Sequence, residues 1–241
     1  MRDRIVSLVI RAMGSMRRIR LSPSMLKLAA TFIDYESEHL PPDSRVVEYP
    51  FVLSRIGRLP AGKALDVGCI ALHNYASPLL AFSGWDTQGL DIRDEWHFRH
   101  PNFHFIKGDI RYSDLEGDTF DLITCVSTIE HVGLVGYYGN RLQDDEGDLV
   151  AAQEITRILK PGGTLLLTVP YQREYAYRPG VRVYDDRRLC RLLGSLAVVS
   201  EMVYQQNGKG YWELARRGIE KEGVICIEAS KPFTTNPLGE S

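Results

Sequence analysis

Short apolar runs that alternate with helical segments constrain the fold of this chain more than any other feature. Two central runs, at 122–126 and 165–169, are apolar apart from one threonine each, which is typical of strands covered on both faces by helices. Repeated strand–helix–strand units make right-handed crossovers. The sequence therefore predicts an α/β fold with a doubly wound, mostly parallel seven-stranded sheet. Its predicted strands are 63–67, 87–92, 103–106, 120–127, 164–169, 196–205 and 224–229.

The chain of 241 residues is long enough for one domain with an elaborated end. Residues 1–60 are predicted to form an N-terminal helical extension or lid, with loops at Pro41-Pro42 and Pro60. The predicted sheet occupies 61–231. The last ten residues, 232–241, are mostly polar or turn-forming and are expected to be a loose tail.

One helix of the central region is delimited at both ends. We expect it to run from Leu149 to Leu159, with Asp148 as its N-cap. Pro161-Gly162-Gly163 is expected to end it and to turn the chain into the next strand.

Charge and cysteine content narrow the class of protein. The 29 Lys and Arg residues nearly balance the 31 Asp and Glu residues, for a net charge of −2, so no nucleic-acid partner is expected. Four cysteines without a Cys-x-x-Cys pair argue against a disulfide framework or a zinc site and suit a reducing compartment. No apolar run approaches the roughly 20 residues of a membrane span, and Arg11 interrupts the first apolar stretch. We therefore expect a cytoplasmic location.

The first 30 residues differ from the remainder in charge. They carry seven bases and one acid, a local charge of +6, which leaves −8 for the rest of the chain. Within 1–20, apolar side chains at 5, 9, 12, 16 and 19 share one side of a helix, opposite Arg4, Arg11 and Arg18. Such a helix suits peripheral contact with the anionic inner face of a membrane. A lid over the site or a homodimer contact would use the same apolar face, and these alternatives stay open.

Candidate site residues follow the predicted strands, because ligands of doubly wound sheets bind beyond the carboxyl ends of the strands. Gly68, after the first strand, allows close approach of a ligand to the backbone. Asp91 ends the second strand, where a carboxylate can accept both hydroxyls of a ribose. Asp109 follows the third strand, where it can accept an adenine amine, with Ile110 against the ring. His131 follows the fourth strand.

Taken together, residues 45–230 resemble the class I S-adenosylmethionine-dependent methyltransferases. The resemblance is carried by the acids and glycine at successive strand ends, by Phe120-Asp121-Leu122-Ile123, and by the turn Leu159-Lys160-Pro161-Gly162-Gly163. It implies S-adenosylmethionine as the cofactor, with Asp66 and Gly68 at its methionine part. The cofactor-binding residues implied in this way are Asp66, Gly68, Cys69, His73, Asn74, Asp91, Ile92, Asp109, Ile110 and Ser127.

The first motif departs from the family pattern, because 69–75 carries larger side chains where further glycines are usual. The chain is similar in this respect to a less-studied subgroup often found among genes for surface polysaccharides. The matching segments are His73-Asn74, the run from Ser127 to Gly133 with Tyr138-Gly139 nearby, and Arg182-Val183-Tyr184-Asp185. The resemblance implies a methyl acceptor that is a small molecule or a sugar or glycan, modified at oxygen.

His131 is the candidate general base, since its ordinary pKa of about 6.5 suits that role. Packing beneath the cofactor or capping a helix is the alternative for this side chain. Tyr171 and Arg173 follow the fifth strand and are candidates for substrate binding through hydrogen bonds and stacking.

The sequence also bears on three other classes of function. A nicotinamide-dependent oxidoreductase requires Gly-x-Gly-x-x-Gly, of which only Gly68 is present. No metal site is predicted, because the spacing of His97, His100 and His104 fits no ligand pair. A non-catalytic protein that binds S-adenosylmethionine or a partner on the same fold remains the alternative function.

Overall fold

The computed structural model describes residues 44–70, 75–94, 98–136 and 143–233. The amphipathic segment 1–20, His73-Asn74, Tyr138-Gly139 and nearly all of the expected tail lie outside these ranges. Within them the helices are α1 (Arg45–Ile56), α2 (Ala76–Phe82), α3 (Gly147–Ile158) and α4 (Asp186–Leu193). The strands are β1 (Lys63–Val67), β2 (Asp86–Asp91), β3 (Phe103–Lys107), β4 (Phe120–Val126), β5 (Leu159–Tyr171), β6 (Ala176–Arg178), β7 (Val181–Val183), β8 (Ala197–Gln206), β9 (Trp212–Ala215) and β10 (Gly223–Ser230).

The main sheet has the order β3-β2-β1-β4-β5-β10-β8-β9. The first five of these strands are parallel to one another, whereas β10 is antiparallel to β5 and β8. The predicted α/β fold with a doubly wound, mostly parallel sheet is thus confirmed. All seven predicted strands are present, and the described residues add an eighth, β9, at the edge. The order reverses between β1 and β4, which is where such sheets place their ligand.

Apolar layers cover both faces of the sheet. Ile123 and Leu165 belong to the cluster on the face of α3 and α4, whereas their neighbours Leu122 and Leu166 belong to the cluster with α1 and α2. Successive residues of one strand therefore enter opposite layers. This explains why the central strands are apolar at nearly every position.

The helix before β5 differs in detail from the prediction. Its N-cap is Glu146 rather than Asp148, because the buried Asp148 carboxylate accepts a hydrogen bond from the hydroxyl of Tyr184, at 3.0 Å. The turn prediction at Pro161-Gly162-Gly163 is also corrected, since β5 already begins at Leu159. Gly162 has a positive φ of 78°, and its N–H donates to the carbonyl of Lys231 at 2.7 Å.

α1 is the described part of the predicted N-terminal extension. It packs on the sheet through Val52 and Ile56, which join the apolar cluster that contains Leu122. Among the described residues, none of the helices has the length and apolarity to span a bilayer.

Candidate functional site

A cleft lies at the carboxyl ends of β1, β2, β3 and β4. Seven of the predicted site residues line it: Gly68, Asp91, Ile92, Asp109, Ile110, Ser127 and His131. The structure thus brings together residues that are separated by up to 63 positions in the chain, from 68 to 131.

Gly68 is required by the backbone at the end of β1. Its φ is +77°, a conformation that side chains disfavour. A Cβ at this position would overlap the side chain of Thr128, which follows β4. The glycine therefore lets the loops after β1 and β4 approach each other at the floor of the cleft.

Asp91, the last residue of β2, presents its carboxylate at the rim of the cleft. One oxygen accepts the N–H of Ile70 at 2.8 Å. Arg93 lies across the same carboxylate, with its Nε and Nη2 each 3.0 Å from an oxygen. The glycine-poor loop after β1 therefore contributes a backbone donor that positions the acid.

Asp109 caps the short 3₁₀ turn Ile110–Tyr112 by accepting the N–H of Arg111 at 3.0 Å. The guanidinium of Arg111 also pairs with this carboxylate at 2.7 Å and with Asp144 at 2.8 Å. Ile110 lines the cleft and packs into the core. Together they give this end of the cleft an acidic group beside an apolar surface.

His131 lines the cleft in a defined tautomer. Its Nδ1 lies 2.6 Å from the carbonyl oxygen of Gly180, in the turn between β6 and β7. A carbonyl can only accept a hydrogen bond, so Nδ1 carries the proton and Nε2 carries the lone pair. Burial lowers the pKa of His131 to about 4. The imidazole is therefore neutral at pH 7, with its lone pair on Nε2. It is also a weaker base than the ordinary histidine expected from the sequence.

Glu130 is buried beside this histidine, with Oε1 3.8 Å from Nε2 of His131. Burial, followed by the nearby Glu48, raises the pKa of Glu130 to about 8. Its Oε2 is without a hydrogen-bond partner in the described part of the chain. A neutral carboxyl here places no negative charge beside the imidazole, which agrees with the low pKa of His131.

α1 contributes side chains to the cleft that were not predicted from the sequence. Glu48 is buried and accepts hydrogen bonds from the hydroxyls of Ser127 and Thr168. Arg45, three residues earlier, pairs with Glu48 and lines the cleft. Ser127 itself has a positive φ of 40°. The available signal was a glutamate within the otherwise apolar stretch 46–53, which suggests a buried charge.

Arg182 begins the segment Arg182-Val183-Tyr184-Asp185, one of the segments that carry the family resemblance. Its side chain is fully buried and donates to the carbonyls of Val132 and Asp144, at 2.7 and 2.8 Å. These carbonyls belong to the loop that follows His131. A buried arginine thus fixes the segment that carries the candidate base.

Two other predicted cofactor residues, Asp66 and Cys69, are buried and do not line the cleft. The carboxylate of Asp66 accepts hydrogen bonds from Ser77 of α2 at 2.6 Å and from Thr124 of β4 at 2.7 Å. It therefore joins β1, β4 and α2 beneath the cleft. Burial raises the pKa of the Cys69 thiol. Their direct contact with a cofactor stays a prediction, and His73 and Asn74 lie outside the described residues.

The predicted substrate residues also lie away from the cleft lining. The buried Tyr171 donates its hydroxyl to Asp186 at 2.8 Å and accepts the N–H of Gly218 at 2.9 Å. Arg173 is exposed and pairs with Glu220. Their role in substrate binding stays a prediction. No group of three or more potential metal ligands occurs among the described residues.

A family model identifies the chain. The model, described as "Caenorhabditis protein of unknown function, DUF268", matches residues 64–226. The chain belongs to the DUF268 family. The match extends from β1 into β10, so the DUF268 region contains every strand end of the cleft, whereas Arg45 and Glu48 precede it.

One curated relative is the sterol 24-C-methyltransferase of Schizosaccharomyces pombe, 28% identical over 149 residues, or 53% of this chain. The chain spans about a third of the length of that relative, 35%.

Solved structures show the fold of this DUF268 protein. A S-adenosylmethionine-dependent methyltransferase from Methanosarcina mazei matches with a TM-score of 0.50, 16% identity and coverage of 71% of this chain and 93% of its own. The 1,6-didemethyltoxoflavin-N1-methyltransferase of Burkholderia thailandensis matches with a TM-score of 0.51, 15% identity and coverage of 79% and 77%. The 4+2 cyclase SpnF matches with a TM-score of 0.53, 16% identity and coverage of 89% and 98%. The fold is therefore the Rossmann-like fold of these methyltransferases.

Proposed function

We propose that this DUF268 protein is a S-adenosylmethionine-dependent methyltransferase that acts at oxygen on a small-molecule or sugar acceptor. One observation carries the proposal: the carboxylate of Asp91 and the neutral imidazole of His131 line the same cleft. The comparisons support it, because the curated relative is named a methyltransferase and the Burkholderia structure of similar fold contains S-adenosylhomocysteine.

The residues of the cleft fit the parts of this cofactor. Asp91 would accept the ribose hydroxyls, and Asp109 with Ile110 would contact the adenine. Ile92, whose side chain is 37% exposed, offers apolar surface at the same rim. When bound, the cofactor supplies an electrophilic methyl group, so the protein has to position the acceptor and remove its proton.

His131 is the proposed acceptor of that proton, and its pKa of about 4 makes it a weaker base than an ordinary histidine. The Gly180 carbonyl holds the imidazole with its proton on Nδ1, so Nε2 can accept the proton of an acceptor hydroxyl as its oxygen attacks. Because the free imidazole is neutral at pH 7, no prior deprotonation is needed. Arg182 keeps the segment that contains His131 in place through the Val132 carbonyl.

Exposed tyrosines of the hairpin that contacts His131 lie outside the cleft lining and would suit a sugar-like acceptor. The β6–β7 hairpin, whose turn contacts His131 through Gly180, carries Tyr177 with an exposed ring, and Tyr175 precedes it. Exposed tyrosines combine an apolar ring with a hydroxyl, which suits the CH faces and hydroxyls of a sugar. We propose that the acceptor belongs to surface-polysaccharide synthesis and is modified in the cytoplasm.

Binding measurements test this proposal. We expect calorimetry to detect S-adenosylmethionine and S-adenosylhomocysteine binding and to detect no NAD binding. SpnF has this fold and is named a cyclase, so the fold alone does not determine the chemistry. Binding of S-adenosylmethionine without turnover on any acceptor would favour the non-catalytic alternative. Absence of binding would refute the methyltransferase and leave only a non-catalytic protein that binds a partner.

A further inference from the structure

Among the described residues, the main sheet ends at β9, which is hydrogen-bonded to β8 alone. An unpaired sheet edge presents free backbone groups to any strand that approaches it. Two apolar side chains at this edge are exposed. Leu214 of β9 is 64% exposed, and Tyr211, immediately before β9, is 48% exposed. We call 211–216 the β9 edge. Its combination of open backbone and apolar surface is suited to pairing with another strand.

The hydrogen-bond pattern shows which residues of the β9 edge face outward. The N–H of Asn207 donates to the carbonyl of Tyr211 at 2.8 Å. The pairing of β8 with β9 continues without a register shift from Gln206↔Trp212 to Val203↔Ala215. Backbone groups alternate in direction along an antiparallel strand. The N–H and C=O groups of Trp212, Leu214 and Arg216 therefore point away from β8.

We infer that this edge pairs antiparallel with the β9 edge of a second copy of the chain, with Leu214 opposite its own copy. This continues the sheet through a two-fold axis, which is the usual symmetry of a homodimer. Trp212 then lies opposite Arg216 of the partner subunit. Arg216 is exposed and takes part in no ion pair or hydrogen bond within the described residues, so its guanidinium is available to the indole ring.

Other registers are less complementary. Two-fold pairing centred on Glu213 would set two carboxylates directly against each other, which is destabilising. Pairing centred on Ala215 would leave Trp212 opposite Gly218 of the partner subunit, without an aromatic–cation contact. Pairing centred on Leu214 sets leucine against leucine and sets Glu213 against an alanine. The sequence of the β9 edge is thus self-complementary in this register.

Sedimentation velocity of the full chain over a range of concentrations tests the interface. We expect the wild type to form a dimer and Leu214→Arg to sediment as a monomer with an unchanged far-UV circular dichroism spectrum, because two guanidinium groups would then face each other. Tyr112→Arg is the matched control, since Tyr112 is 72% exposed and lies near β3 at the other end of the sheet. A wild type that is monomeric throughout, or a Leu214→Arg variant that remains dimeric, would overturn the inference.

Cysteine cross-linking tests the register. Cys190 is exposed, so the experiment uses a Cys190→Ser background. Residues directly opposite in a hydrogen-bonded pair have Cα atoms about 5.5 Å apart, within the range of a disulfide. We therefore expect mild oxidation to link L214C into a covalent dimer and to link E213C much less. Preferential cross-linking of E213C would contradict the register centred on Leu214.

Discussion

The pH dependence of catalysis tests whether His131 is the general base. Its pKa is lowered to about 4 by burial, so at pH 5.5 more than nine-tenths of the imidazole would be neutral, against about one tenth for an ordinary histidine with a pKa of about 6.5. If Nε2 accepts the acceptor proton, kcat/KM should change less than about twofold between pH 7.5 and 5.5. A histidine with an ordinary pKa would lose about tenfold over that range.

Mutation tests the same role independently. Loss of a general base typically reduces turnover by about 10²–10⁴-fold, and we expect His131→Ala to show such a loss of kcat with cofactor affinity retained. His104→Ala is the control, because His104 is exposed on β3. The assay is the initial rate of S-adenosylhomocysteine formation, with calorimetry for cofactor affinity. A tenfold fall in wild-type kcat/KM at pH 5.5, or loss of cofactor binding in His131→Ala, would refute the reasoning.

Three further predictions concern the cofactor, a buried acid and the N-terminal segment. Asp91→Ala should weaken S-adenosylmethionine binding by about 1.5–3 kcal/mol, the contribution of a charge-assisted hydrogen bond, whereas Asp94→Ala, an exposed control, should leave calorimetric affinity unchanged. Because the pKa of Glu130 is raised to about 8 in the folded protein, the contribution of Glu130 to stability should fall as pH rises from about 4.5 to 8. Glu130→Gln should therefore melt at a higher temperature than wild type at pH 8 and at a similar one at pH 4.5; equal melting at both pH values would contradict the buried neutral carboxyl. If residues 1–20 contact a membrane, deleting them should abolish salt-sensitive co-sedimentation with anionic vesicles, and absence of wild-type binding at low salt would exclude that contact.

The fold could be predicted from the sequence because burial on both faces of a parallel sheet leaves a continuous apolar pattern. Every predicted strand was found, since runs such as 122–126 have few other ways to be buried. β9 was missed because its four residues, Trp212–Ala215, include an exposed glutamate and lack both alternation and a continuous apolar run. The start of β5 was misjudged because Pro161-Gly162-Gly163 usually ends an element, whereas here it lies within the strand.

The residues at the rim of the cleft could be predicted from their positions at strand ends. Topology alone brings Asp91, Asp109 and His131 to one edge of the sheet. What sequence could not supply was the direction of each side chain. Asp66 lies one residue before the end of β1, but its carboxylate accepts hydrogen bonds from Ser77 and Thr124. The contribution of Arg45 depends on how α1 packs on the sheet, a contact between distant parts of the chain that no local pattern records.

Transfer of labelled methyl from S-adenosylmethionine to an acceptor tests the proposed activity most directly. The purified protein is incubated with methyl-labelled cofactor and a panel of nucleotide sugars and glycan fragments, with His131→Ala as the parallel sample. We predict label on the hydroxyl of at least one acceptor, formed with the wild type and reduced by about 10²-fold or more in the variant. Binding of the cofactor with no labelled product from the panel, or equal label from both proteins, would contradict the account.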